Sequence, residues 1–182
     1  MQKIRIVNSA QLSRALRTAA REFTRFGIWN DRLARIAVNL TLFSPYYGWQ
    51  AYRTTGDINI PVFSLCRLRE WWTGTYVSLA DVVRHEYAHA IAHCYPSLVR
   101  SRAFVKAFAA RHDANVSVGF IDGFHMTAYA ATSPAEDFAE TFMLFMRTKG
   151  KLQRCYRTRL IRMKWRFIRK LCRAIRFGSR TV

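Results

Sequence analysis

Residues His85, Glu86 and His89 have types and a spacing that suit metal chemistry. On a helix, residues i and i+4 share one face, about 6 Å apart along the axis, so both imidazoles can reach one metal ion. Glu86 then projects beside that ion. Zinc held by two histidines leaves room for another ligand and a water, and a neighbouring carboxylate can take the proton of that water. The spacing therefore predicts a zinc site with a carboxylate base.

A helix around these residues is supported independently by its start, its periodicity and its end. Ser78 and Asp81 form a variant of the capping box, and Pro96 is a stop signal. Between them runs a helical apolar stripe of Leu79, Val82, Val83, Tyr87, Ala90, Ile91 and Cys94. The alternative is a buried helix whose histidines only form hydrogen bonds.

Two histidines leave zinc under-coordinated, and the best candidates for a third ligand lie downstream. Ser133 as N-cap followed by Pro134 predicts a helix start, which places Glu136 and Glu140 one turn apart on one face. One glutamate can bind zinc while the other accepts a hydrogen bond from a ligand histidine. The alternatives are that Glu136 is an acid favoured near a helix N-terminus and that Glu140 is a surface residue.

These motifs resemble those of a known family of enzymes. The segment His85 to His89 matches the His-Glu-x-x-His pattern of zinc metallopeptidases. The segment EDFAETF from Glu136, preceded by Gly123-Phe124 and Tyr129-Ala130, resembles the third-ligand helix of gluzincin-type metallopeptidases and of the anthrax lethal factor protease domain. The resemblance covers roughly residues 78–148.

The resemblance implies a zincin-like metallopeptidase domain of the α+β class, with a small mixed or antiparallel sheet and one Zn²⁺ per chain. It implies the following roles: His85, His89 and Glu136 as zinc ligands, Glu86 as general base, Glu140 as the partner of a ligand histidine, and Tyr129 as the residue that stabilises the oxyanion. The alternative for Tyr129 is a packing residue. Zinc-dependent cleavage of a protein or peptide substrate is the expected activity.

The second strong signal is charge, because Lys and Arg outnumber Asp and Glu by 30 to 11 and the net charge is +19. No acid follows Glu140, whereas 14 basic residues lie between Arg147 and Arg180. Such a balance favours an acidic partner: nucleic acid, an anionic membrane surface or an acidic protein, bound through the basic N- and C-terminal helices. The rival hypothesis is therefore a nucleic-acid- or membrane-binding protein with a structural or inactive metal site. A solvated basic face is the plainer alternative.

At 182 residues the chain is expected to form one domain, with a metallopeptidase unit over 1–150 and a basic amphipathic helix over 151–182 packed against it. The cysteines are scattered and predict free thiols in a reducing compartment, with extracellular pairing as the alternative: Cys66, Cys94, Cys155 and Cys172. No signal peptide or membrane-spanning stretch is evident, so we expect a cytoplasmic protein.

The remaining patterns predict elements around the site. We expect a helix from Asn8 or Ser9 to about Phe26, a strand pair over 49–53 and 57–63, a helix over 97–111, a short strand over 116–118 and one long helix over 151–177. Ile58 to Ile60 is expected to be an edge strand on which a substrate peptide can pair. His93 is expected to be a neighbour of the site or a solvated residue rather than a ligand, and His125 to be a plain loop histidine, with contact to substrate as the alternative. Trp71-Trp72 are expected to pack rather than to line a cleft.

Overall fold

The computed structural model describes residues 6–44, 47–52, 55–64 and 77–182; Cys66 and the pair Trp71-Trp72 lie outside these ranges. The described helices are α1 (Ser9–Arg25), α2 (Asp31–Ala34), α3 (Leu79–Cys94), α4 (Pro96–Val99), α5 (Arg102–Phe108), α6 (Pro134–Arg147) and α7 (Arg159–Arg176), and the strands are β1 (Ala37–Phe43), β2 (Gly48–Ala51) and β3 (Gly56–Phe63). Short 3-10 turns span Tyr129–Thr132 and Arg154–Tyr156. The expected α+β class is confirmed.

The three strands form one mixed sheet in the order β1-β3-β2. β1 runs parallel to β3, and β2 pairs antiparallel with it through the predicted hairpin. The expectation that Ile58 to Ile60 form an edge strand is wrong, because β3 is central and both isoleucines are fully buried. The parallel partner β1 covers the side of β3 that the hairpin leaves open. The edge strand that packs beside α3 is β2 instead.

Polar side chains begin each of the three principal helices. Asn8 and Gln11 form a reciprocal capping box at α1. The hydroxyl of Ser78 accepts the Asp81 N–H at α3, and that of Ser133 accepts the Glu136 N–H at α6. Each cap satisfies an N–H that has no partner within its helix, which places these starts at the predicted residues.

Helices α3 and α6 pack antiparallel over a layer of aromatic rings. The start of α3 meets the end of α6, where Arg147 Nη1 lies 3.2 Å from Asp81 Oδ2. Phe23 of α1 packs against both helices, with ring centroids 5.4 Å from Tyr87 and 5.7 Å from Phe142. This packing keeps one polar face of α3 opposite one polar face of α6.

Three predicted elements differ from the structure. The helix expected over 97–111 is split into α4 and α5, because Ser101 caps a new helix at Arg102. Residues 116–118 form no strand, although the Val118 N–H donates to the Ala131 carbonyl. The C-terminal helix begins at Arg159 rather than 151, since Thr158 provides its cap.

Helix α7 packs on α5 and α6 around a buried charge. Lys164 is fully buried, and its Nζ lies 2.5 Å from Asp137 Oδ2 and 2.5 Å from the Phe124 carbonyl. The opposite face of α7 is exposed and basic, with Arg162, Arg166, Arg169, Lys170 and Arg173.

Within the described ranges, no helix is both long enough and apolar enough to cross a bilayer.

A buried ion network ties α1 to α3. Arg84 donates to both carboxylate oxygens of Glu22 at 2.7 Å and to Asp81 Oδ1 at 2.6 Å. Only 7% of the Arg84 side chain is exposed, so these bonds replace nearly all of its hydration. Loss of the arginine would leave two acids without this partner.

We expect Arg84→Met to lower the free energy of unfolding by about 3–5 kcal/mol, because Glu22 and Asp81 would stay largely buried without the arginine that neutralises them. Urea unfolding measures this change, and the dependence of the unfolding free energy on urea concentration should be the same for the variant and the unaltered chain. Arg102→Met, at an exposed position in the first turn of α5, is the matched control and should stay within about 0.5 kcal/mol. A loss of less than about 1 kcal/mol in Arg84→Met would contradict a structural role for this network.

Candidate metal centre

The structure brings the predicted metal ligands together from two helices. His85 and His89 project from α3, and Glu136 projects from the first turn of α6. Glu136 Oε2 lies 3.0 Å from His85 Nε2 and 3.5 Å from His89 Nε2, and the two Nε2 atoms are 3.2 Å apart. Three ligand atoms thus form a small triangle, and all three side chains are partly buried.

The dimensions and chemistry of this triangle fit a zinc ion. Tetrahedral zinc with bonds of about 2.0–2.2 Å places its ligand atoms about 3.3–3.6 Å apart, close to the distances found here. Glu136 Oε2 is buried and lies close to both imidazoles, yet no group is placed to donate a well-directed hydrogen bond to it. A buried carboxylate oxygen without a partner is costly unless a cation completes it. Two histidines and a glutamate are also a donor set that binds zinc.

Glu140 fixes the orientation of His85. Its Oε1 lies 2.9 Å from His85 Nδ1, so the Nδ1–H donates a hydrogen bond to this carboxylate and Nε2 faces the other two candidate ligand atoms. Glu140 Oε2 accepts from the Thr127 hydroxyl at 2.9 Å. Burial opposes the charged form of His85, but contacts with Glu136 and Glu140 outweigh it and raise the pKa of His85 to about 10.

Glu86 is buried beside the ligands and is held by the sheet edge. Its Oε2 accepts the backbone N–H of Trp49, on β2, at 2.7 Å. Burial raises the pKa of Glu86, although His85, His89 and the Trp49 N–H oppose the rise. A carboxylate with a raised pKa and one oxygen already oriented is suited to accept and return a proton.

Tyr129 lies over the ligand helix at the start of the 3-10 turn. Its ring centroid is 5.8 Å from that of His85. Partial burial, followed by the negative charges of Glu136 and Glu86, raises the pKa of the Tyr129 hydroxyl. The hydroxyl therefore stays protonated at neutral pH and can donate a hydrogen bond.

The other histidines lie away from the ligand triangle. His93 packs against the Trp49 ring at 5.6 Å, and His125 is buried, where its Nδ1 accepts the Ile121 N–H. His112 lines the cleft beside His89, and burial followed by repulsion from His89 lowers its pKa to about 4.

Sequence reasoning missed His112, Thr127 and the backbone of Trp49. No spacing pattern connects these three residues to the motifs, because each reaches the site through tertiary packing. Of the three, Thr127 alone had a local signal in the sequence, its position two residues before Tyr129. Its hydroxyl accepts the Ala130 N–H and so helps to form the turn that carries Tyr129.

We expect the protein to bind about one zinc per chain and to lose most of it in His85→Ala and Glu136→Ala, because each substitution removes one corner of the triangle. Glu140→Ala should keep the ligands but weaken affinity about 10–100-fold. Elemental analysis gives the zinc content, and competition with a chromophoric chelator gives the affinity. His93→Ala is the matched control and should bind zinc like the unaltered chain. Failure of the unaltered chain to bind zinc would contradict the site.

Comparison of the chain with protein-family models, with curated proteins and with solved structures finds no match. The case for a metal centre therefore stands on the ligand triangle, on the buried unpartnered oxygen of Glu136, and on the groups that orient His85 and Glu86.

Proposed function

We propose that this protein is a zinc-dependent metalloendopeptidase. The observation that carries the proposal is the triangle of His85, His89 and Glu136 with the buried carboxylate of Glu86 next to it. A structural zinc site usually closes with four protein ligands, whereas here the described residues supply three. Three ligands and an adjacent base are the composition of a hydrolytic site.

The fold around the site also supports a zincin-like assignment. A mixed sheet lies beside the helix that carries both histidines, and a second helix supplies the glutamate. Glu140, one turn after Glu136, contacts a ligand histidine as the gluzincin resemblance implies. Tyr129 precedes the glutamate helix and faces His85.

In this mechanism each side chain has one task. Zinc, when bound by His85, His89 and Glu136, supplies Lewis-acid polarisation of the scissile carbonyl and acidifies water. Glu86 accepts a proton from the attacking water through Oε1 and returns it to the leaving amine, while Trp49 holds Oε2. Tyr129 donates a hydrogen bond from its hydroxyl to the developing oxyanion.

The edge of β2 provides main-chain groups for an extended substrate. The Tyr52 N–H donates to the Thr55 carbonyl across the hairpin. Main-chain groups alternate in direction along an antiparallel strand, so the N–H and C=O groups of residues 50 and 52 point toward β3. Those of Trp49 and Ala51 point away from it. The Trp49 N–H is directed to Glu86, as this alternation requires. The Trp49 carbonyl and both main-chain groups of Ala51 therefore lie on the side on which a peptide can pair.

We expect Glu86→Gln to reduce peptide cleavage by about 10²–10⁴-fold while about one zinc per chain remains bound, because the amide cannot accept the proton. Mass spectrometry of a mixed peptide library detects cleavage at whichever bonds the enzyme accepts. Removal of zinc with a chelator and its restoration should abolish and recover cleavage by the unaltered chain. Cleavage by Glu86→Gln at the unaltered rate would remove the proposed base.

We expect Tyr129→Phe to lower kcat by about 10²-fold with KM changed by less than about threefold, because the hydroxyl acts on the oxyanion rather than on the bound substrate. Steady-state kinetics on a peptide found in the library separates the two constants. Tyr156→Phe, on the other 3-10 turn, is the matched control. A rise in KM alone would assign Tyr129 to substrate binding instead.

A further inference from the structure

A cleft of about 750 Å³ opens beside the metal centre. It begins at His89, follows the C-terminal half of α3 past His93, and is bounded by Trp49 on the sheet edge. None of the metallopeptidase motifs requires the residues on its outer wall, so these residues are free to determine which substrates enter.

The outer wall carries three arginines: Arg32 on α2, Arg35 just after it, and Arg100 between α4 and α5. None of them forms an ion pair within the described part of the chain. Among the described residues that line the cleft, Asp113 is the one acid, and Arg111 engages both its oxygens at 3.0 and 3.1 Å. Arg32 and Arg35 are therefore not compensated by these lining residues, and Arg100 shares its nearby acid, Asp113, with Arg111.

Arg32 is held in place rather than loosely solvated. Its Nη1 donates to the Cys94 carbonyl at 3.3 Å, and its guanidinium lies 5.4 Å from the centre of the Tyr95 ring. A guanidinium with remaining N–H groups and a fixed position loses little entropy when it binds a carboxylate. Arg35 and Arg100 are exposed, and neither forms an ion pair among the described residues, although Asp113 lies close enough to Arg100 to attract it.

The floor of the cleft is apolar, with Ile36, Ala92 and Val99. An apolar floor below a cationic wall suits a side chain with a short hydrocarbon stem and an anionic tip. The neighbouring edge of β2 offers main-chain groups to a peptide. A nucleic acid would be expected to stack its bases on aromatic rings, but the Trp49 ring already packs against His93.

We propose that this cleft selects acidic peptides, with Arg35 and Arg100 binding a glutamate or aspartate side chain of the substrate next to the bond that is cleaved. The inference rests on the proposed peptidase function and names its substrate class. It also gives part of the large positive charge a defined purpose, since uncompensated charges in a cleft raise the local concentration of anionic ligands.

The test measures binding to Glu86→Gln, so that the ligand is not consumed. Fluorescence anisotropy at physiological ionic strength compares a labelled glutamate-rich peptide, its glutamine counterpart and an oligouridylate. The double variant Arg35→Gln with Arg100→Gln is set against Arg14→Gln with Arg21→Gln, which removes the same charge from the exposed face of α1. We expect the glutamate peptide to bind at least about tenfold tighter than the glutamine peptide. The cleft variant should lose this preference, and the α1 variant should keep it within about twofold.

Equal losses in the two double variants would overturn the inference, because general charge would then explain binding. Lack of a preference for glutamate would overturn it as well, and oligouridylate binding that only the cleft variant loses would assign the cleft to nucleic acid. Zinc content and cleavage are measured separately on the unaltered chain. Selective peptide binding without cleavage would contradict the proposed peptidase alone, while cleavage that depends on Glu86 but ignores glutamate would contradict only this inference.

Discussion

The site depends on one constraint: two antiparallel helices must keep a fixed register and rotation so that three ligand atoms meet within 3.5 Å. A rotation of α6 by one residue, about 100°, would carry Glu136 off the shared face. The aromatic layer around Phe23 resists such a rotation, because its rings pack on α3 and α6 together. The Asp81–Arg147 contact at one end and the His85–Glu140 contact nearer the middle set the register. Core packing fixes the rotation of α6 against α3, and the polar contacts fix the register of the two helices.

The groups that orient the candidate catalytic residues lie mainly outside the two motif helices. Thr127 links Glu140 to the turn that carries Tyr129, so one carboxylate orients a ligand histidine and anchors the neighbouring loop. Trp49 orients Glu86 through its backbone and therefore requires no particular side chain for that task. The candidate ligand His85 is thus positioned through Glu140 and a loop, and the candidate base Glu86 is positioned by a strand edge.

Sequence patterns predicted the two motif helices well because caps and periodicity are local properties. Ser78 and Ser133 mark both starts, and the residues they place on one face are those that converge. The strand order was not predictable in the same way, since the parallel pairing of β1 with β3 depends on contacts between distant segments. The same reason hid His112, which has no motif spacing. The break at Ser101 carried a local signal, a serine cap, which the continuous apolar pattern of the expected helix obscured.

The buried Lys164–Asp137 pair makes the glutamate helix dependent on α7. Asp137 follows the candidate ligand Glu136 directly, and its counter-charge comes from 27 residues further along the chain. Without α7, α6 would have to expose that carboxylate or bury it without its partner. Lys164 also holds the Phe124 carbonyl, near the start of the loop that leads to Tyr129. A helix that contributes none of the candidate ligands is thus required for the packing of the helix that carries one of them.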